Sequence, residues 1–442
     1  MTTKTFRTWD VDQIWLLPPS VHELVPAGHV AHFVRDTVRE SLDLSAILEC
    51  YNEERGYPPY HPAMMTALLL YAYTQGVYSS RKIAKGCEER VDFMAVTALQ
   101  KPDFRTVSDF RKRHLKELGR LFVQVLRLCR QAGLAKLGHV SLDGSKVRAN
   151  ASKHKAMSYG RMQKAERELA AEVARWFREA EAVDSRETRR FGADGRGDEL
   201  PAWVRHKQQR LAKIREAKAA LEAEAAAQKP KDPPPTDPGK PRRGRPPKPP
   251  SGEPKPEAQR NFTDPDSRIM KGPEGFQQCY NVQTAVDADS QVIVACGLTQ
   301  SATDRHQLKP LVARIKANTR RVPKEVSADS DYCTEDNLAE LERRHIRGYV
   351  ATGKQLHGQP VPAAGRKTKG PLRQKMRRRL QAGGYRSRYR LRKQTAEPVF
   401  GQIKAARGFR QFLLRGVETV TEEWNLVCTA HNLLKLAKAA AS

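Results

Sequence analysis

The sequence predicts an α/β protein: a mixed sheet with flanking helices, preceded by an all-α segment and interrupted by a helical hairpin. Three observations predict it. Short alternating or Val/Ile-rich stretches begin only at His139 and resume at Asn281. Before His139, apolar residues recur at helical spacing. Between the strand-bearing stretches lies a segment rich in Ala, Glu, Lys and Arg, followed by a proline-dense one. Strands that alternate with helices call for a sheet covered on its faces.

The 442 residues give room for two or three domains. The expected division is a helical N-terminal DNA-binding domain at 1–135, a catalytic domain made of 136–155 and 261–442, a helical-hairpin insertion at 156–228 and a linker at 229–260. A net charge of +29 calls for a polyanionic partner, usually nucleic acid, because each contacted phosphate releases counterions. About half of that excess sits between Lys354 and Lys393, which holds 14 Lys and Arg and no acid. A surface that tracks phosphates is favoured there over a solvated loop. The longest apolar stretch, Met64 to Tyr73, is about half a membrane span, and no N-terminal signal pattern precedes it. Membrane and secreted classes are therefore excluded. Seven cysteines without a C-x-x-C pair argue against a disulfide scaffold or a zinc ribbon, so a cytoplasmic, nucleoid-associated protein is expected.

The elements follow in order. Helices are expected from Val30, from Met64 behind Pro62, from the Ser79-Ser80 cap, and over Phe110 to Arg130. His139 to Gly144 reads as a short strand with Ser141 and Asp143 on one face and Val140 and Leu142 on the other. Residues 156–228 carry two apolar stripes separated by Gly192, Gly195 and Gly197, the pattern of an antiparallel helical hairpin. Residues 229–256 contain 12 prolines and build no packed core. Within them, Arg243-Gly244-Arg245-Pro246 has the composition of a minor-groove hook, with Arg243 and Arg245 as its DNA contacts. A hairpin is expected over Asn281 to Leu298, with Asp287 and Asp289 at its turn. Then come a helix at Leu308–Asn318, a strand at Glu325–Asp329, a helix at Thr334–Arg344 with Asn337 and Glu340 outward, and a strand at Gly348–Ala351. Helices at Ala396–Ala406 and Thr421–Ala439 close the chain. This order matches an RNase H-like fold, which brings the first strand beside the fourth.

Three carboxylates stand at telling places. Asp143 is on the first strand, Asp329 ends the fourth, and Glu397 opens the helix behind the basic segment, with Thr395 as its cap and Pro398 in its first turn. Glu397, Gly401 and Lys404 share one helix face, and Phe400 and Ile403 turn to the core. Gathered carboxylates repel, and hard divalent cations cancel that cost. Two Mg²⁺ ions, with Mn²⁺ able to substitute, would activate the attacking oxygen and stabilise the leaving one in a phosphoryl displacement. His139 is expected to be structural, and Phe409 and Trp424 to be core.

The chain resembles the bacterial insertion-sequence transposases of the DDE class, specifically the group called IS eleven-eighty-two. The resemblance is carried by Trp15-Leu16-Leu17-Pro18-Pro19-Ser20, Tyr60-His61-Pro62, Gly76 to Ile83, and Pro102 to Arg111 at the front. Leu142-Asp143-Gly144-Ser145-Lys146, Asp264-Pro265-Asp266-Ser267 and Tyr280-Asn281-Val282-Gln283 carry it in the middle, and Glu397 to Lys404 at the end. It implies catalytic metal ligands at Asp143, Asp329 and Glu397. It also implies DNA-phosphate contacts at Tyr389, Arg392 and Lys404, terminal inverted repeats and target duplex as partners, and a homodimer on DNA. Two departures stand out: Asp331 occupies the usual Gly of the second-Asp block, making it the alternative to the favoured Asp329, and one extra residue separates Arg392 from Glu397. The rival readings are a catalytically silent, repressor-like copy and a structure-specific nuclease of the same fold.

Overall fold

The computed structural model describes residues 20–21, 23–51, 58–191, 202–227, 252–272, 274–353, 370–384 and 387–441. The minor-groove hook, the glycine-rich connection, most of the proline-rich stretch and the first part of the basic window lie outside them.

The front of the chain is helical: α1 (Val30–Glu40), α2 (Ser45–Leu48), α3 (Pro62–Thr74), α4 (Ser80–Glu89), α5 (Val91–Thr97), α6 (Phe104–Arg113) and α7 (Leu115–Gln131). Pro62 sits in the first turn of α3, as expected. The helix expected over Phe110 to Arg130 is instead two, because the chain breaks at His114. Asp103 caps α6 by accepting from Arg105 and Thr106 N–H groups.

The sheet has six strands. It contains β1 (His139–Arg148), then, after the short β2 (Ala156–Ser158) and β3 (Gln259–Asn261), β4 (Arg268–Gly272), β5 (Gly275–Asp287), β6 (Ile293–Thr299), β7 (Glu325–Ala328) and β8 (Arg347–Val350). The order is β4-β5-β1-β7-β8, with β6 also on β5. β1 is antiparallel to β5 and parallel to β7, so the first long strand does lie beside the later Asp-bearing one. It runs past Gly144 to Arg148, longer than its alternation suggested. β2 and β3 pair with each other, with Ser158 opposite Gln259. From their ends rise the arm helices α8 (Tyr159–Phe191) and α9 (Ala202–Ala227).

The helices α10 (Leu308–Thr319), α11 (Glu335–Arg343), α12 (Pro371–Gly383), α13 (Leu391–Gly401) and α14 (Val417–Ala440) complete the fold. Asn337 and Glu340 of α11 are buried, not outward. Asn337 Nδ2 donates to the carbonyls of Arg305 and Tyr332, which answers the burial of its amide. Part of the basic window is α12 itself, whose Met376 and Leu380 pack inward.

One hydrophobic core runs through the front helices and the sheet. α14 lies at its centre, between α7 and β6. Asn432 exchanges hydrogen bonds with the backbone of Ile293 on β6, at 2.9 and 2.8 Å. Gly119 of α7 makes this approach possible, since a Cβ there would meet the Glu422 side chain at 1.8 Å. Gly76, with φ +72°, likewise lets the turn after α3 press against the Arg407 carbonyl.

Candidate active site

The β1–β7 pairing sets His139 beside Glu325 and Ser141 beside Ser327. Asp143 follows two residues on along β1, and Asp329 comes just after the end of β7, near enough for its charge to act on the Asp143 carboxyl. Alternation puts this polar ladder on one face of the sheet. Its first rungs are internally satisfied: His139 joins Glu325 (3.2 Å) and Ser327 (3.0 Å), and Ser141 joins Ser327 (2.9 Å). His139 is thus structural, and burial pushes its imidazole pKa down.

The segment from Ser387 through α13 covers that ladder. Arg388 reaches Glu325 at 2.9 Å. Arg392 bridges two carboxylates, with Nη1 3.3 Å from Asp143 Oδ1 and Nη2 3.2 Å from Glu397 Oε1. Burial pushes the Asp143 carboxyl up to about 7; Arg392 opposes this, and Asp329 and Glu397 add to it. Burial also raises Asp329, reinforced by Asp304.

Several local expectations change. Asp329 lies just past β7 and caps a 3₁₀ turn by accepting from Asp331 N–H at 3.0 Å. The Asp331 residue itself is exposed. Glu397 does not open its helix. α13 begins at Leu391, Thr395 lies inside it and donates to the Leu391 carbonyl, and Pro398 is also internal. The run reads as basic surface, yet its Leu391, Thr395, Val399 and Phe400 spacing is helical. Past Gly401 the helix widens into one π turn at Gln402–Ala406. That turn sets Lys404 Nζ on Ser145 Oγ (3.0 Å) and on the Lys146 carbonyl (2.9 Å). Tyr389 is half-buried beside Arg392, and burial raises its phenol.

Asp304, for which no role was expected, is buried next to the site. It accepts from Asn281 (2.6 Å) and Gln283 (2.7 Å). The legible signal was those two amides, alternating with Tyr280, Val282 and Thr284 along β5 and in need of a partner once buried.

Among the described residues no three His, Cys, Asp or Glu side chains form a ready-made metal cage. The donor chemistry nonetheless fits a hard divalent ion: Asp143 is buried with carboxylates for neighbours, and a guanidinium holds the place of the cation. No described helix is long and apolar enough to cross a membrane.

A family model described as Transposase domain (DUF772) matches residues 19–113, which hold α1 to α6. A second, described as Transposase DDE domain, matches residues 250–433, which hold Asp329, Arg392, Glu397 and Lys404. Together the two matches place the chain in the family of insertion-sequence DDE transposases. Asp143 of this transposase lies on β1, between the two matched segments. No curated protein and no solved structure matches the chain.

Proposed function

We propose that the transposase cleaves and joins DNA at the ends of its element by metal-dependent phosphoryl transfer, with Asp143, Asp329 and Glu397 as the metal ligands. The observation that supports this most is the Arg392 bridge from Asp143 to Glu397, together with the parallel pairing of β1 with β7, past whose end Asp329 lies. When bound, two Mg²⁺ ions, or Mn²⁺ in their place, supply Lewis-acid activation of the attacking oxygen and charge relief for the leaving one. The chain's own residues position the reacting groups. Asp143 presents its oxygens from β1, Asp329 from the turn that follows β7, and Glu397 from α13. Asp304 adds negative potential behind Asp329, and Asn281 and Gln283 hold it in place. Tyr389, Arg392 and Lys404 hold phosphates of the cleaved strand. The front helices read the terminal inverted repeats, and pairing of two ends requires a second copy of the chain. Membership of the IS eleven-eighty-two group rests on the sequence blocks alone.

The test is strand cleavage on a plasmid carrying the element's ends. Asp143→Asn, Asp329→Asn and Glu397→Gln each lose at least about a thousandfold in rate while still binding end DNA. Parent-like cleavage by any one of them removes that residue from the site.

A further inference from the structure

Beyond the carboxylates, β1 continues into a second site. A cavity of about 280 Å³ opens there, lined by Lys146, Arg148, Gln277, Cys279, Lys404 and Arg410, with Glu274 the one acid among its lining residues. We propose that this cavity is a subsite for a backbone phosphate of the DNA strand being cut. The proposal rests on the transposase reading above and extends it.

Four cations share this space because the backbone forces them together. Arg148 N–H donates to the Arg410 carbonyl at 3.2 Å, and Phe412 N–H donates to the Arg148 carbonyl at 2.9 Å. These bonds hold two guanidinium-bearing residues side by side. Like charges so placed repel unless an anion lies between them. Their donors are available. Among the described residues Glu274, 3.8 Å away, is the one acid paired with Arg148. Arg410 spends its Nε on the Lys404 carbonyl, and its terminal nitrogens have no partner among the described residues. Lys404 uses two of its three ammonium protons. Paired guanidinium forks with one ammonium match a phosphate oxygen set.

The placement suits a nucleic-acid strand. Ser145, which anchors Lys404, is two residues from Asp143, roughly 7 Å along the strand, and Arg148 is five, roughly 17 Å. One DNA strand carries a phosphate every ~3.4 Å of axis. The cavity therefore reaches phosphates roughly two to five nucleotides from the reacting one.

The experiment uses the full chain and a duplex of the element's terminal repeat in which single phosphates are replaced, one at a time, by neutral methylphosphonates. The parent is expected to lose about tenfold in affinity at one position within five nucleotides of the cleaved bond. The Arg148→Gln/Arg410→Gln double variant is expected to lose about as much on the unmodified duplex and nothing further when that position is neutral, and its log–log salt slope should fall by about 1. Parent-like affinity in the double variant overturns the subsite. So do losses that add at every position, because they report a general field. Arg148→Lys/Arg410→Lys, which keeps both charges, should recover part of the affinity; a matching loss there assigns the effect to folding and also overturns the subsite. If the parent itself neither binds nor cleaves the duplex, the transposase reading fails first, and this control separates the two failures.

Discussion

Arm and body use opposite means to hold helices together. In the arm, α8 and α9 share a small core at its base, where Tyr159, Met162, Ile214, Ala217 and Leu221 are buried. Ion pairs flank that core and continue along the arm: Arg215 and Lys218 with Glu166 at 3.1 and 2.9 Å, and, beside the buried Val204 and Leu211, Lys207 with Glu172. Water screens such exposed pairs, so they add little to stability. In the body, α14 is enclosed by α7 on one side and β6 on the other, with Trp424, Leu426, Cys428 and Leu433 fully buried. The comparison teaches where functional precision resides. The polar ladder and α13 are set on an over-determined core, whereas the arm joins it through one pair of three-residue strands and the ion pair of Glu224 on α9 with Arg268 on β4.

The strongest challenge to this contrast is a core truncation. Trp424 is fully buried, and its indole N–H donates to the Gln283 carbonyl at 3.4 Å. Trp424→Ala is expected to cost about 3–5 kcal/mol in denaturant unfolding. A loss below about 1 kcal/mol would contradict a rigid body.

Next in size is a pH effect. Glu423 is buried and accepts from the Leu413 and Leu414 N–H groups, and burial pushes its carboxyl up to about 7. The folded state therefore binds the proton more tightly than the unfolded one. Its stabilising contribution is full below the unfolded value, near 4.5, and is lost as pH rises through about 7. Glu423→Gln keeps an acceptor and removes the titration. The gap in Tm between the variant and the parent should widen in the variant's favour from pH 5 to 7, by about 2–3 kcal/mol in equivalent stability. Parallel Tm profiles would refute it.

A smaller effect belongs to Arg392, which occupies the charge space that a cation would need. Arg392→Ala should bind Mn²⁺ about tenfold more tightly, or about 1.4 kcal/mol, as read by electron paramagnetic resonance of the free ion. Equal or weaker binding would show that the guanidinium does not compete.

Least of all should the body respond to loss of the arm. Ser158 faces Gln259 across an antiparallel pair, so an Asn-Gly turn closes that hairpin when residues 159–258 are removed. Calorimetry should find the main transition within about 3 °C of the parent's. A shift well beyond that would make the arm part of the core.

Much of this was legible because period and composition change together along the chain. The β1, β5, β6, β7 and β8 segments, and the hairpin of the arm, all announce themselves that way. β4 did not, since Arg268-Ile269-Met270-Lys271 has little apolar alternation and is held mainly by pairing to β5. The site was legible as residue types but not as an arrangement. Pro398 read as a first-turn proline, yet tertiary packing of Val399 and Phe400 keeps it inside a longer helix. Nor does any local pattern tell that Arg392 spans Asp143 and Glu397, or that Asp304 meets Asn281 and Gln283, since these contacts join distant stretches.

The enclosure of α14 by α7 also bears on how such a gene decays. A copy that has lost its opening third would make a polypeptide whose last helix bares the face that packs on α7, the Glu422 side with Leu426 and Leu433 at helical spacing from it, and it would aggregate instead of lingering as a folded competitor. Five-prime erosion should thus silence the element outright, with no inhibitory remnant left to restrain its intact siblings.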